Sequence, residues 1–176
     1  MHKPFFSSHI ASGLLVVLAF LMPLVASADG WIYRGDVDKM TSKERNFAMV
    51  ASDNVLELRF PYGSKSNYGF LTLRDIGGNV DVMVTIKNGK ILCAGEGDSC
   101  QITVRFDQAP PVTFKALGSS DHNSTVLFIE NTSRFIASVS KANKILIQFK
   151  IYNAGNQTLE FSPLTPLVWG KSSENK

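Results

Sequence analysis

VDVMVTIKNGKILC, residues 80–93, decides the fold class. Val80 to Ile86 runs with a period of two, which places successive side chains on opposite faces of a pleated strand. Lys87-Asn88-Gly89-Lys90 follows and contains Asn-Gly, the strongest short-range hairpin signal. Ile91-Leu92-Cys93 then begins a return strand. Strand, tight turn and strand together predict antiparallel pairing.

Working outward, the same habit recurs. Upstream, Val55 to Phe60 (VLELRF) alternates before the turn signal Pro61-Tyr62-Gly63, and Phe70 to Arg74 (FLTLR) alternates before Asp75-Ile76-Gly77-Gly78. Downstream, Gln101 to Phe106 (QITVRF) aligns Ile102, Val104 and Phe106 on one face. Val112 to Leu117 and Thr125 to Glu130 are further strands. Asn143 to Tyr152 carries Ile145, Ile147, Phe149 and Ile151 at strict spacing; Asn153 to Asn156 turns, and Gln157 to Phe161 returns as the last hairpin arm. Two segments break the pattern. Thr132 to Lys141 places Phe135, Ile136 and Val139 on one helical face, with Asn131 as its N-cap. Ser42 to Met49 reads as a second short helical turn. The expected fold is mainly β: an antiparallel β-sandwich, or partly closed barrel, with one short helix packed at one end.

The N-terminus gives an address. Lys3 precedes an apolar run from Ile10 to Val25, followed by Ala26-Ser27-Ala28, the small-x-small pattern of a signal peptidase site. The run is shorter than the roughly 20 residues of a comfortable membrane span. Residues 1–28 are therefore expected to be a cleaved secretory signal, 29–170 a single β-rich domain and 171–176 a disordered tail. The expected localisation is periplasmic or secreted, with no membrane span after cleavage. Removing 28 of 176 residues leaves 148, a normal size for one domain with its own core. The net charge of +3 is carried by scattered residues and argues against nucleic acid as a partner.

Export bears on the two cysteines, Cys93 and Cys100. Paired cysteines in an oxidising compartment are usually joined. Their C-x6-C spacing differs from the thioredoxin-type motif. Zinc would need further Cys or His ligands, and beyond the signal the only histidine is His122. A structural disulfide is the reading adopted, with a labile bond or free thiols as alternatives. The enclosed residues include Glu96 and Asp98, a possible interaction loop.

Other candidates for chemistry give way to plainer accounts. Ser119-Ser120-Asp121-His122 contains the residue types of a serine triad, but adjacent residues on one loop do not converge as a triad must. Asp36 with Asp38, and Glu96 with Asp98, lie in polar loops without the ligand count calcium requires. Arg105 and Asp107 share one strand face beside Phe106 and are expected to form an ion pair or network within the sheet. Tyr62 and Tyr68 are candidates for a surface groove, while Trp31 and Trp169 are expected to pack together where the chain ends meet. Sequons occur at Asn123, Asn131 and Asn156 and would matter only in a glycosylating host. No catalytic residue, metal or cofactor is expected.

Several spaced elements form a familiar order: Trp31-x-Tyr33, Asp38-x-Met40, Leu71-x-Leu73-Arg74, then Leu92-Cys93 and the run from Cys100 to Arg105-Phe106-Asp107. Phe114-Lys115-Ala116, Ser120-Asp121, Leu127-Phe128-Ile129, Arg134-Phe135 and the closing segment from Leu159 to Trp169 continue it. This order resembles a group of uncharacterised exported proteins of Gram-negative bacteria. It is similar, more remotely, to the VasI-type accessory proteins of type VI secretion systems. The resemblance implies a fold and a place in the cell envelope, and no catalytic residues. The function expected is a non-enzymatic periplasmic protein that binds a protein partner at the envelope, or a secretion accessory factor. One alternative is an inhibitor or immunity-like protein that inserts the 94–99 loop into an enzyme cleft. Another is a carbohydrate-binding or hydrolytic protein, in which Tyr62, Tyr68, Arg105 and Asp107 converge on a groove.

Overall fold

A computed structural model describes residues 30–63, 66–93 and 100–170. The expected signal segment, the 171–176 tail and the loop residues Glu96 and Asp98 lie outside the described residues. Nine strands and one helix follow in chain order: β1 (Ile32–Val37), β2 (Glu44–Ala51), β3 (Gly69–Ile76), β4 (Asn79–Ile86), β5 (Cys100–Phe106), β6 (Val112–Gly118), β7 (Val126–Ile129), α1 (Thr132–Val139), β8 (Ile145–Ile151) and β9 (Gly155–Phe161). All nine strands form one antiparallel sheet, ordered β1-β2-β3-β4-β7-β6-β5-β8-β9. The mainly β, antiparallel architecture with one short helix is the one that alternation predicts. No ladder joins β9 to β1, so the sheet is not closed into a barrel.

The sheet curls over a single apolar core. Inward positions of every strand from β2 to β9 contribute, including Val50, Leu71, Leu73, Val82, Val84, Ile102, Val104, Ala116, Leu127, Ile147 and Leu159. Gly69 of β3 abuts Leu159 of β9 across the interior. A Cβ on Gly69 would collide with the Leu159 side chain and come within 2.8 Å of the Thr85 carbonyl. α1 lies over this core and buries Phe135 and Val139. Phe135 makes edge-to-face contacts with Phe106 and Phe114, at centroid distances of 5.8 and 5.3 Å.

The Gly77-Gly78 signal gives the tightest hairpin. Ile76 pairs with Asn79, and both intervening glycines have positive φ, as a two-residue turn matching strand twist requires. The Asp75 carboxylate accepts the Gly78 N–H at 2.8 Å.

The Asn88-Gly89 hairpin does not form. Residues 90–92 leave β4 and pair with β8 instead: Ile91 bridges Ile151, Leu92 N–H donates to Lys150 O, and Tyr152 N–H donates to Lys90 O. The cause is competition for the edge of β4. β7 pairs along Met83–Thr85, and Thr125 O takes the N–H of Ile86. Asn-Gly therefore marks a bend over the end of the sheet.

Three further expectations are corrected. Ser42 to Met49 is not helical; Glu44–Ala51 is β2, with Ala48 and Val50 buried at strand spacing. Val55 to Phe60 buries Leu56 and Leu58 alternately but is not a strand. Its partner edge on β9 is already occupied by Asn54, whose side-chain amide donates to Thr158 O and accepts from Glu160 N–H, each at 2.9 Å. Asn131 occupies the N-cap position of α1 in a left-handed conformation, yet its side chain makes no capping bond. Only its carbonyl, accepting the Phe135 N–H, belongs to the helix. β1 itself carried no strand prediction, because IYRGDV lacks a buried face: all six residues are exposed.

Candidate functional site

The cysteines are joined, with Cα atoms 5.1 Å apart. The topology explains why they meet. Beside β8, β5 pairs only along residues 145–148, and Ile91 takes the position next to Ile151. The segment ending at Cys93 and the strand beginning at Cys100 thus share one flank of β8, end to end. Cys100 lies opposite Ala116 on β6, and the Cys93 sulfur sits 3.6 Å from the Ala116 carbonyl. That approach is a packing contact, since a disulfide sulfur carries no proton to donate. Both cysteines are half-buried against the core. The two residues that flank 94–99 are therefore fixed to the sheet.

Arg105 and Asp107 do not pair. β5 ends at Phe106, and Asp107 turns into the left-handed region at φ 49°. Its Oδ1 accepts the N–H groups of Asn143 and Lys144, at 2.9 and 2.8 Å, while its own N–H donates to Lys144 O. The carboxylate clamps the β5–β6 turn to the chain entering β8. Arg105 folds back locally onto Ala109 O and Gln108 Oε1. Alternation placed the two side chains on one face, but it could not see the strand end between them.

Tyr62 and Tyr68 occupy the opposite end of the sheet. Tyr68 meets Phe70 edge-on at 5.3 Å, with the Lys87 ammonium 4.9 Å from its ring centre. Tyr62 is tied to the neighbouring Asn67, whose amide donates to Tyr62 O at 3.0 Å. Lys87 adjoins Ile86 and the bend to Ile91, at the Cys100 end of β5, whereas Arg105 and Asp107 lie at its other end. A seven-residue strand separates these ends by about 20 Å. The four residues of the groove reading are not brought together.

A groove of about 840 Å³ lies elsewhere, between residues 54–59 and the β8–β9 turn, lined by Glu57, Arg59, Asn153, Gly155 and Gln157 among others. Its lining is mainly polar and contains no aromatic ring. Asn54, whose amide shapes one wall, carried no sequence signal that marked it. Ser119 to His122 form a surface turn. The Asp121 carboxyl is held below the usual aspartate range, chiefly by a Ser119 hydrogen bond and then by the Asn123 N–H. Asp38 is held down likewise, by the Thr41 N–H first, then the Thr41 hydroxyl and the Met40 N–H. Asp36 is engaged by Arg45 through Nε and Nη2, at 2.6 and 2.9 Å.

Trp31 is buried and Trp169 half-buried against the same core. The Tyr33 hydroxyl accepts the Val168 N–H at 2.9 Å, which brings residues near the two ends of the described chain together. Among the described residues, no group of three or more His, Cys, Asp or Glu is placed to hold a metal ion, and no helix is long and apolar enough to cross a membrane. No protein-family model, curated protein or solved structure matches the chain.

Proposed function

We propose that this is an exported, non-catalytic binding protein of the cell envelope, periplasmic or secreted, that engages a protein partner through the stapled 94–99 segment. The observation that carries the reading is the anchoring of that segment. The two cysteines that flank it are joined on the flank of β8 and packed on the core, so the six residues between them, which include Glu96 and Asp98, are tethered at both sides. A tethered loop loses less conformational entropy on binding than a free one. The carboxylates of Asp38, Asp107 and Asp121 support the same reading, because each is already bonded to backbone N–H groups of turns. Insertion of the loop into an enzyme cleft is the narrower form of this function.

Affinity capture from periplasmic extract, with the intact protein and with Cys93→Ser/Cys100→Ser, tests it. A protein retained by the first and lost by the second is expected. A partner held equally by both, or saccharide binding with no protein retained, overturns the assignment.

A further inference from the structure

The sheet treats its two edges differently. On β9, the outward groups of Thr158 and Glu160 are occupied: Asn54 bonds Thr158 O and Glu160 N–H, and Asp53 N–H donates to Glu160 O. On β1, no described residue bonds the outward backbone of residues 32–37. An uncovered edge is a template for another strand.

Which groups point outward follows from the ladder. Asp38 N–H donates to its register partner Lys43, and Gly77 N–H donates to Glu44 on the far side of β2. Both bonds place Ile32, Arg34 and Asp36 in mutually bonded pairs with Met49, Phe47 and Arg45. The N–H and C=O groups of Tyr33, Gly35 and Val37 therefore face away from the sheet.

We propose that β1 pairs with β1 of a second copy, antiparallel about Gly35, making one continuous sheet across a two-fold axis. This inference is independent of the stapled-loop reading. The register is chosen by charge. Centring on Gly35 sets Arg34 opposite Asp36 of the second copy, and Asp36 opposite its Arg34. Tyr33 then faces Val37 of the second copy, and the outward backbone groups match throughout. Centring one residue earlier, on Arg34, opposes Arg34 to itself; centring one residue later opposes Asp36 to itself. Like charges directly opposite destabilise a pair of strands. Asp36 can accept a second arginine, since Arg45 uses one lone pair of each carboxylate oxygen. The exposed side chains of Ile32, Tyr33 and Val37, at 47, 47 and 55 %, supply the apolar part of the contact. A six-residue edge is a small, isologous interface, so the dimer is a weak one that dissociates on dilution.

The test uses the full chain, expressed from its complete coding sequence, with the N-terminus read by mass spectrometry. Sedimentation velocity over a dilution series is expected to show a monomer–dimer equilibrium. Val37→Pro removes an outward N–H without touching the ladder to β2 and is expected to abolish the dimer. Arg34→Glu and Asp36→Arg are each expected to weaken self-association roughly tenfold or more. Mixed together, these two variants oppose unlike charges at both sites and are expected to form a heterodimer tighter than either homodimer. Hydrogen exchange at the amides of 33, 35 and 37 is expected to slow as concentration rises. A monomer at every concentration overturns the proposal, as does a dimer indifferent to Val37→Pro or no heterodimer on mixing. Amides protected equally at all dilutions also overturn it, because the chain's own residues would then cover the edge.

Discussion

Asp107→Ala removes a carboxylate that ties the β5–β6 turn to the chain entering β8. Oδ1 accepts two backbone N–H groups, from Asn143 and Lys144, some 36 residues further along the chain. A hydrogen bond to a charged group contributes about 1.5–3 kcal/mol, and a stranded N–H adds a desolvation cost when water does not reach it. The site is only half-buried, so water replaces part of the loss, and the alanine variant is expected to lose about 2–3 kcal/mol. The residue also has φ 49°, where alanine is strained and asparagine is tolerated. Asp107→Asn keeps an acceptor at the same place and is expected to cost about 1 kcal/mol. Asp107→Gly relieves the backbone while losing both bonds and should fall between them. For a domain of this size 1 kcal/mol moves the melting temperature by about 3–4 °C, so the expected order is Asn, Gly, Ala with a span of several degrees. Urea unfolding followed by tryptophan fluorescence gives the free energies directly. An alanine variant as stable as the parent, or an asparagine variant as damaged as alanine, would refute the reasoning.

Reduction of Cys93–Cys100 is expected to cost about 2.5 kcal/mol on the chain-entropy account of so short a loop, lowering the melting temperature by several degrees while the sheet stays folded in circular dichroism. Gly69→Ala, which forces a methyl against Leu159 and the Thr85 carbonyl, is expected to destabilise by about 1–3 kcal/mol, measured as a shift in urea midpoint. The carboxyls of Asp38 and Asp121 titrate lower in the folded chain than unfolded, so their stabilisation is complete above the ordinary value near 3.9 and fades as pH falls through the folded values. Melting curves from neutral pH downward should therefore fall below about pH 4, and Asp38→Asn/Asp121→Asn should flatten that fall.

Most strands with one buried face were legible from alternation alone: β3, β4, β5, β6, β7, β8 and β9 lie where the apolar period lies, within a residue or two. The failures share a cause. β1 has no buried face to advertise, and β2 hid behind Lys43-Glu44-Arg45, a run of charges that resembled the start of a helix. VLELRF had the period of a strand, but the ladder it needed was taken by Asn54. The Asn88-Gly89 signal described a local turn correctly while saying nothing of β7, which arrives 40 residues later to claim the edge of β4. Pairing partners are tertiary facts, and period-two patterning reports only which face is wet. The cysteine pair was legible because its constraint is local. The roles of Arg105 and Asp107 depended on where β5 stops, which local pattern resolves poorly.

The strand order carries a consequence for how the chain assembles. β1 to β4 form a meander, β5 to β7 another, and β8 with β9 a hairpin, each built from contacts close in sequence. Only two ladders stitch them together, β4 with β7 and β5 with β8, and both require β5–β7 to be laid down in reverse order. Such non-local ladders place folding in the slow, millisecond-to-second class. The crossover into that block is the segment that Cys93 and Cys100 shorten. A chain oxidised before docking begins its search with β5 already held beside residues 91–93, so the bond acts as a guide for assembly as well as a brace on the finished sheet.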